Sequence, residues 1–223
     1  MGNIPDNNYY RPLFSPWVDG GQGEFSKYYA LAHPRTLVTV DRCWVLYSLL
    51  QNSFAIDGEV WECGVYKGGT AAMLAQIMAS KNMSKILRLF DTYNGMPEVN
   101  PNVDLHHRGD FADVVEEEVL KYIGNAQIVR SHKGFMPDTF KGLEDCRLCF
   151  AHVDVDIYQS VLDCCGFIFP RLYIGGVMVF DDYGFPSCPG ARLAVDTYFA
   201  GKGVFPLVIP TGQAIVFKNR ELI

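Results

Sequence analysis

The feature that most limits the fold is an alternation. Short apolar stretches recur along the chain, and each is followed by a stretch with helical spacing. Glu59–Cys63 reads as a strand and Gly68–Ser80 as a helix rich in Ala, Met and Leu. Ile86–Phe90 is a second strand, Glu116–Ile123 a helix and Ala126–Val129 a third strand. Leu148–Val153 is the fourth strand, Ile157–Phe169 a helix, Gly176–Phe180 the fifth strand and Ala191–Phe199 another helix. Strands linked through helices run parallel, so the pattern predicts a parallel sheet with helices on both faces. The ending differs. Phe205–Ile209 and Ala214–Phe217 are joined only by Pro210-Thr211-Gly212-Gln213, too short for a crossover helix. They predict an antiparallel hairpin. The expected fold class is therefore α/β, with a seven-stranded, mostly parallel sheet. A helix over Thr39–Asn52, with Trp44, Leu46, Tyr47, Leu49 and Leu50 on its apolar face, precedes the first strand.

The strand Leu148–Val153 runs straight into Asp154 and Asp156, and the strand Gly176–Phe180 into Asp181 and Asp182. Side chains alternate along a strand, so the i, i+2 spacing predicts that Asp154 and Asp156 face the same side. If the two strands are parallel neighbours, four carboxylates converge at their carboxyl ends. Two unit charges about 4 Å apart repel by roughly 4 kcal/mol at an effective dielectric near 20. Such a cluster needs shared protons or a hard cation such as Mg²⁺, which favours carboxylate oxygens. The plainer alternative is that Asp156 caps the helix beginning at Ile157. One cap, however, uses one acid, and here there are two pairs.

A cofactor site is expected at the carboxyl ends of the first strands. The loop Glu62-Cys63-Gly64-Val65-Tyr66-Lys67-Gly68-Gly69-Thr70 follows the first strand directly. Its glycines let backbone approach a ligand, but the spacing is not G-x-G-x-x-G, so the standard NAD fingerprint is absent. Asp91 ends the second strand, where an acid can hydrogen-bond ribose hydroxyls.

Length and charge narrow the remaining classes. The 223 residues, 49% hydrophobic, suit one domain with a sizeable core. A net charge of −6 without a basic run argues against nucleic acid or an anionic membrane as the main partner. No apolar stretch reaches the roughly 20 residues of a membrane helix, and the N-terminus lacks a signal-peptide layout. A cytoplasmic protein with reduced thiols is expected. Cys146 and Cys149 form a C-x-x-C, but no second pair exists, and buried structural thiols are the expected role of the seven cysteines. Residues 1–35 carry Tyr9, Tyr10, Pro12, Phe14, Pro16, Trp17, Tyr28 and Tyr29 among glycines, a loop-like stretch too aromatic for a plain tail. It reads as an extension that packs on the body or on a partner subunit, or as a lid. Residues 36–223 form the main domain.

Six motifs in order give the chain a resemblance. They are Glu62–Thr70 (ECGVYKGGT), Phe90–Pro97 (FDTYNGMP), Gly134–Phe140 (GFMPDTF), His152–Tyr158 (HVDVDIY), Phe180–Tyr183 (FDDY) and Pro189–Asp196 (PGARLAVD). The span from Leu37 to Lys218 resembles the macrocin O-methyltransferase (TylF-like) family, S-adenosylmethionine-dependent sugar O-methyltransferases of antibiotic biosynthesis. The resemblance implies a class I methyltransferase (Rossmann-like) fold. It implies that Glu62, Gly64 and Asp91 bind S-adenosylmethionine, with Tyr66 and Thr70 in the same loop. It implies that Asp154, Asp181 and Asp182 hold Mg²⁺ and that Asp156 is the general base. Both Asp154 and Asp156 point the same way on this reading, so which ligates and which abstracts stays open. Asp110 and Ser131 are candidates for the adenine edge. His132 and His106-His107 are expected in loops near the strand ends, and Tyr158 and Tyr183 as walls of a sugar pocket or as core. Asp138 and Asp196 are expected to cap or pair structurally.

The implied chemistry agrees with the residues. A sugar hydroxyl is a poor nucleophile at neutral pH, and a cation with a nearby carboxylate overcomes that. A vicinal diol is the expected acceptor, since Mg²⁺ takes two adjacent oxygens readily. The partners expected are therefore a glycoside or sugar and, through self-association, a second copy of the chain. Two alternatives remain: a catechol-type acceptor, and a non-catalytic S-adenosylmethionine-binding protein.

Overall fold

A computed structural model describes residues 15–17 and 20–219. Seven strands form one sheet: β1 (Glu59–Cys63), β2 (Leu87–Asp91), β3 (Val129–Lys133), β4 (Leu148–Val153), β5 (Leu172–Phe180), β6 (Leu207–Val208) and β7 (Ala214–Phe217). Their order is β3-β2-β1-β4-β5-β7-β6. The first five pair in parallel, and β7 is antiparallel to both β5 and β6. The short link between β6 and β7 leaves antiparallel pairing as the available geometry, as the sequence predicts.

Helices cover both faces. One face carries α1 (Gly23–Ala32), α2 (Val40–Asn52), α3 (Gly69–Ser80) and α4 (Glu116–Ile123), whose buried side chains share one core with Val60, Leu87 and Leu89. The other carries α5 (Tyr158–Ile168) and α6 (Pro189–Phe199), packed with Trp61, Cys63, Ala151 and Val153. Alternate residues of β1 thus serve opposite cores, as a strand buried on both faces requires. The chain leaves β1 outward through β2 and β3, then returns to place β4 on β1's other edge. This reversal opens a crevice at the carboxyl ends of β1 and β4.

Three expectations are corrected. The third strand is Val129–Lys133, not Ala126–Val129, so His132 lies in a strand and not in a loop, with Ser131 beside it. Its sequence, VRSHK, is polar because β3 is the sheet edge and stays half-exposed. The fifth strand begins at Leu172, before the left-handed Gly175 that concealed its start. Residues 23–32 are helical, not loop-like: Phe25 and Tyr28 are buried, and the Phe25 ring packs 5.0 Å from Trp44 and 5.3 Å from Tyr47. Tyr9, Tyr10, Pro12 and Phe14 lie outside the described residues. The thiols are free, and all but Cys146 are buried.

Candidate active site

A cavity of about 300 Å³ occupies the crevice, at the small end of ligand-pocket sizes. Its β1–β2 wall includes Gly64, Tyr66, Thr70 and Asp91, and its β4–β5 wall includes Asp154, Asp156 and Asp182. Asp110 closes one side. Glu62, Ser131 and Asp181 are outside the lining, as are Tyr158 and Tyr183.

The first wall is fixed by backbone. Gly64 has φ +85, and a Cβ there would lie 1.7 Å from the carbonyl oxygen of Asp154. Glycine is therefore required by the approach of this loop to the end of β4. Asp91 Oδ2 accepts the N–H groups of Val65 (2.7 Å) and Tyr66 (2.8 Å), and Oδ1 accepts that of Tyr93 (2.7 Å). The carboxylate staples the β1 loop to β2 and keeps one lone pair of Oδ1 for a further donor.

The second wall is fixed by the sheet ladder. The Asp154 N–H donates to Cys63 O (2.8 Å), and that of Asp181 to Val153 O (2.9 Å), so neighbouring parallel strands deliver both acids to one level. Asp156 departs from the strand pattern. β4 ends at Val153, and Asp156 adopts a left-handed φ of +57, a conformation that Asp tolerates better than most residues. Its N–H donates to Asp182 Oδ2 at 3.1 Å. It does not cap α5. Asp104 Oδ1 accepts the N–H of Tyr158, the first residue of α5, at 2.8 Å, which leaves the Asp156 carboxylate free for other use.

Asp181 and Asp182 are adjacent in sequence yet differ in surroundings. Asp181 is fully buried, ion-paired with Arg42, and accepts Gln213 Nε2 at 2.8 Å. His152 Nε2 stands 3.5 Å from Asp181 Oδ1, while its Nδ1 is 3.0 Å from Glu62 Oε1. Burial alone would discharge His152, but the Asp181 and Glu62 carboxylates on either side push it up to about 10, which favours an imidazolium between them, although Nε2 itself has no hydrogen-bond partner among the described residues. Burial would raise Asp181 as well, and His152, Arg42 and Gln213 together hold it below the usual carboxylate range. Asp182 has no ion pair among the described residues. Burial first, then Asp154 and Asp156, pushes it well above that range. Asp154 is raised by burial and by Asp181, and Asp156 by burial, with His106 pulling it down.

Residues 45–217 match the family model described as macrocin-O-methyltransferase (TylF). The chain belongs to that family. It is 27% identical over 157 residues to the demethyldecarbamoylnovobiocin O-methyltransferase of Streptomyces niveus, covering 65% of this chain and 59% of that protein. It is 30% identical over 161 residues to the 8-demethyl-8-(2,3-dimethoxy-alpha-L-rhamnosyl)-tetracenomycin-C 4'-O-methyltransferase of Streptomyces olivaceus, covering 67% of this chain and 60% of that protein. The matches thus span about three fifths of those two relatives. Among solved structures, the O-methyltransferase NovP superposes with a TM-score of 0.74 at 24% identity, covering 83% of each chain. The fold of this TylF-family chain is that of the class I O-methyltransferases, as the resemblance implies.

In this TylF-family chain, two groups of side chains bring potential metal-ligating atoms within 4.8 Å of one another among the described residues: His152, Asp154 and Asp181, and His106, Asp156 and Cys188. Asp182 joins neither group. Asp154 and Asp156, expected to face one way, are thereby separated into different clusters. The fit to a hard cation rests on Asp154 and Asp182, both raised and neither in a salt bridge among the described residues, although His152 and Arg42 pull Asp154 down. Asp181 already accepts Arg42 on Oδ2 and Gln213 on Oδ1, so it can offer a cation only its remaining lone pairs.

The remaining expectations divide. Ser131 Oγ donates to Glu116 Oε1 at 2.8 Å, away from the cavity. Glu62 is fully buried behind the loop, and its Oε2 has no hydrogen-bond partner among the described residues. Asp110 accepts the N–H of His107 at 2.9 Å, with His106 Nδ1 3.3 Å away. Tyr183 donates to Asp196 at 2.8 Å, and Asp138 pairs with Lys141, structural roles as expected. Sequence reasoning gave no role to Arg42 or Gln213, read Cys188 only as a buried structural thiol, and gave none to His152, though a histidine in the otherwise apolar strand LCFAHV was a visible signal.

Proposed function

We propose that the protein transfers a methyl group from S-adenosylmethionine to a hydroxyl of a sugar on a natural product, with Mg²⁺ bound by the acids of the second wall. The observation that carries this reading is the convergence of the Gly64–Asp91 wall and the Asp154–Asp156–Asp182 wall on one cavity. S-adenosylmethionine supplies an electrophilic methyl group on sulfur. Asp91 is suited to accept a ribose hydroxyl on Oδ1, while Gly64, Tyr66 and Thr70 line the same wall and Asp110 its flank. Glu62 acts from behind, through His152 and the loop it anchors.

Mg²⁺, where bound, supplies positive charge that acidifies and orients the acceptor hydroxyl. Asp154 and Asp182, with Asp181 in support, are the residues suited to hold it. Asp156 takes the proton. Its carboxylate is distinct from the Asp154–Asp181 group, and burial lifts its pKa toward the range in which a general base works best. The sugar oxygen forms its bond to the methyl carbon as the carbon–sulfur bond breaks, and S-adenosylhomocysteine and the methyl ether leave. Holding the reactants in line supplies much of the acceleration. The acceptor class rests on relatives such as the tetracenomycin 4'-O-methyltransferase, whose name specifies a rhamnosyl group. That group is described as 2,3-dimethoxy, so a free hydroxyl beside a second sugar oxygen meets the requirement as a vicinal diol does. Self-association belongs to the same proposal. The exposed side chains of Phe205, Leu207 and Val208 at the β6 edge support it, and sedimentation tests it. No helix among the described residues is long and apolar enough to cross a membrane.

Melting in the presence of ligands tests the cofactor directly, since a ligand that binds only the folded state raises the melting temperature. S-adenosylhomocysteine is expected to raise it and NAD to leave it unchanged. A shift with NAD and none with S-adenosylhomocysteine overturns the reading.

A further inference from the structure

His106, Asp156 and Cys188 meet at the cavity surface, from a loop, the end of β4 and the residue preceding α6. Cys188 Sγ is 3.4 Å from Asp156 Oδ1 and 3.6 Å from His106 Nε2, and His106 Nε2 is 3.6 Å from Asp156 Oδ1. With Zn–S near 2.3 Å and Zn–N and Zn–O near 2.0–2.2 Å, the corresponding edges of a zinc tetrahedron are about 3.4 to 3.6 Å. The three donors therefore already form one face of such a tetrahedron. All three residues line the cavity, which provides the entry path.

Two further features fit a metal. His106 Nδ1 is 3.3 Å from Asp110 Oδ2, the carboxylate–histidine arrangement that turns the other ring nitrogen toward a cation. Cys188, the N-cap of α6, is buried yet makes no side-chain cap hydrogen bond, so its sulfur is turned to His106 and Asp156 instead. We infer that His106, Asp156 and Cys188 form a binding site for a zinc-class divalent cation, separate from the oxygen-rich Mg²⁺ site. The nitrogen and sulfur donors select against Mg²⁺, which keeps to oxygen. Without metal, burial and then Asp182 push the Cys188 thiol up, so loading displaces one proton from sulfur to solvent. A cation held there engages Asp156 and blocks it from accepting the hydroxyl proton. That inhibitory consequence, unlike the site itself, rests on the proposed function.

Co²⁺ is the probe, added to the full chain in saturating Mg²⁺ so that the carboxylate site is filled. One equivalent is expected to produce the sulfur-to-cobalt charge-transfer absorption and the intense visible bands of four-coordinate cobalt, and Zn²⁺ should bleach both. Cys188→Ser should lose the charge-transfer absorption. His106→Gln should weaken binding by more than about 10-fold, since even outer-shell losses cost about 10–100-fold in metal affinity. Absence of the sulfur band in the wild type, or its persistence in a folded Cys188→Ser protein, overturns the site. If Cys188→Ser fails to fold, retention of wild-type affinity by His106→Gln overturns it equally. Zn²⁺ should also inhibit methyl transfer at saturating Mg²⁺. Tight cobalt binding without that inhibition leaves the site standing and overturns Asp156 as the base.

Discussion

The two walls of the cavity use carboxylates in opposite ways. On the β1–β2 wall, Asp91 receives three backbone N–H groups and holds two loops together. Three of its four acceptor sites are filled before any ligand arrives. On the β4–β5 wall, Asp154, Asp156 and Asp182 crowd one another, and burial pushes all three above the usual carboxylate range. Asp181 behind them is the acid held below that range, by His152, Arg42 and Gln213. The difference separates architecture from chemistry. A saturated carboxylate shapes a binding surface. A crowded one holds its charge best beside a cation, and a raised carboxylate is the better proton acceptor.

Metal removal is the harshest way to break this contrast. EDTA is expected to abolish methyl transfer, and Mg²⁺ to restore it, as followed by S-adenosylhomocysteine release. Full activity after exhaustive chelation would mean that shared protons are enough to settle the second wall.

Within that wall, Asp156→Asn is expected to reduce kcat by roughly 10²–10⁴-fold while S-adenosylhomocysteine and Mg²⁺ binding persist. Asp182→Asn should weaken Mg²⁺ binding instead, because an amide is a poorer ligand for a hard cation. Added Mg²⁺ should then rescue part of the Asp182→Asn activity and none of the Asp156→Asn activity. Metal titration of both variants together with Asp154→Asn checks the assignment. Rescue of Asp156→Asn but not Asp154→Asn would exchange base and ligand.

Arg42→Met sharpens the contrast between Asp181 and Asp182. It leaves Asp181 buried with one cation fewer, and breaking a buried pair costs about 3–5 kcal/mol. Denaturant unfolding should show a loss of that order, diminished by Mg²⁺ if Asp181 can ligate metal once Arg42 is gone. A loss that Mg²⁺ leaves untouched would make Asp181 purely structural.

How much of this could be read from the chain depends on burial. β4 lies where its apolar run places it, because a central strand with two covered faces has little freedom of composition, and β1 lies where the sequence predicts it despite Glu59 and Glu62. The edge strand β3 is paired on one side only, so VRSHK carried no strand pattern. α1 was hidden by glycines that flank aromatic core residues. The four acids were legible because strand ends bring them together. The reason offered for Asp154 and Asp156 was not the one that operates: alternation stops at Val153, and a left-handed turn at Asp156 sets its direction. Arg42 reaches Asp181 across 139 positions, and His106 reaches Cys188 across 82, separations that no local pattern reports.

The gentlest test concerns the cap. By spacing, Asp156 was a candidate to cap the helix after β4, but Asp104 accepts the N–H of Tyr158 instead. Asp104 is buried and lies outside the cavity lining, so its role should be one of stability. Asp104→Ala removes the acceptor at the start of α5 and should cost about 0.5–2 kcal/mol, the usual cost of losing a cap. Asp156→Asn, by contrast, should leave the melting temperature nearly unchanged while removing turnover. The two variants, measured side by side by melting and by methyl transfer, should fail in opposite assays. If Asp156→Asn melted early and Asp104→Ala did not, the left-handed turn would exist to hold α5, and the Asp156 carboxylate would belong with Asp91 among the saturated groups.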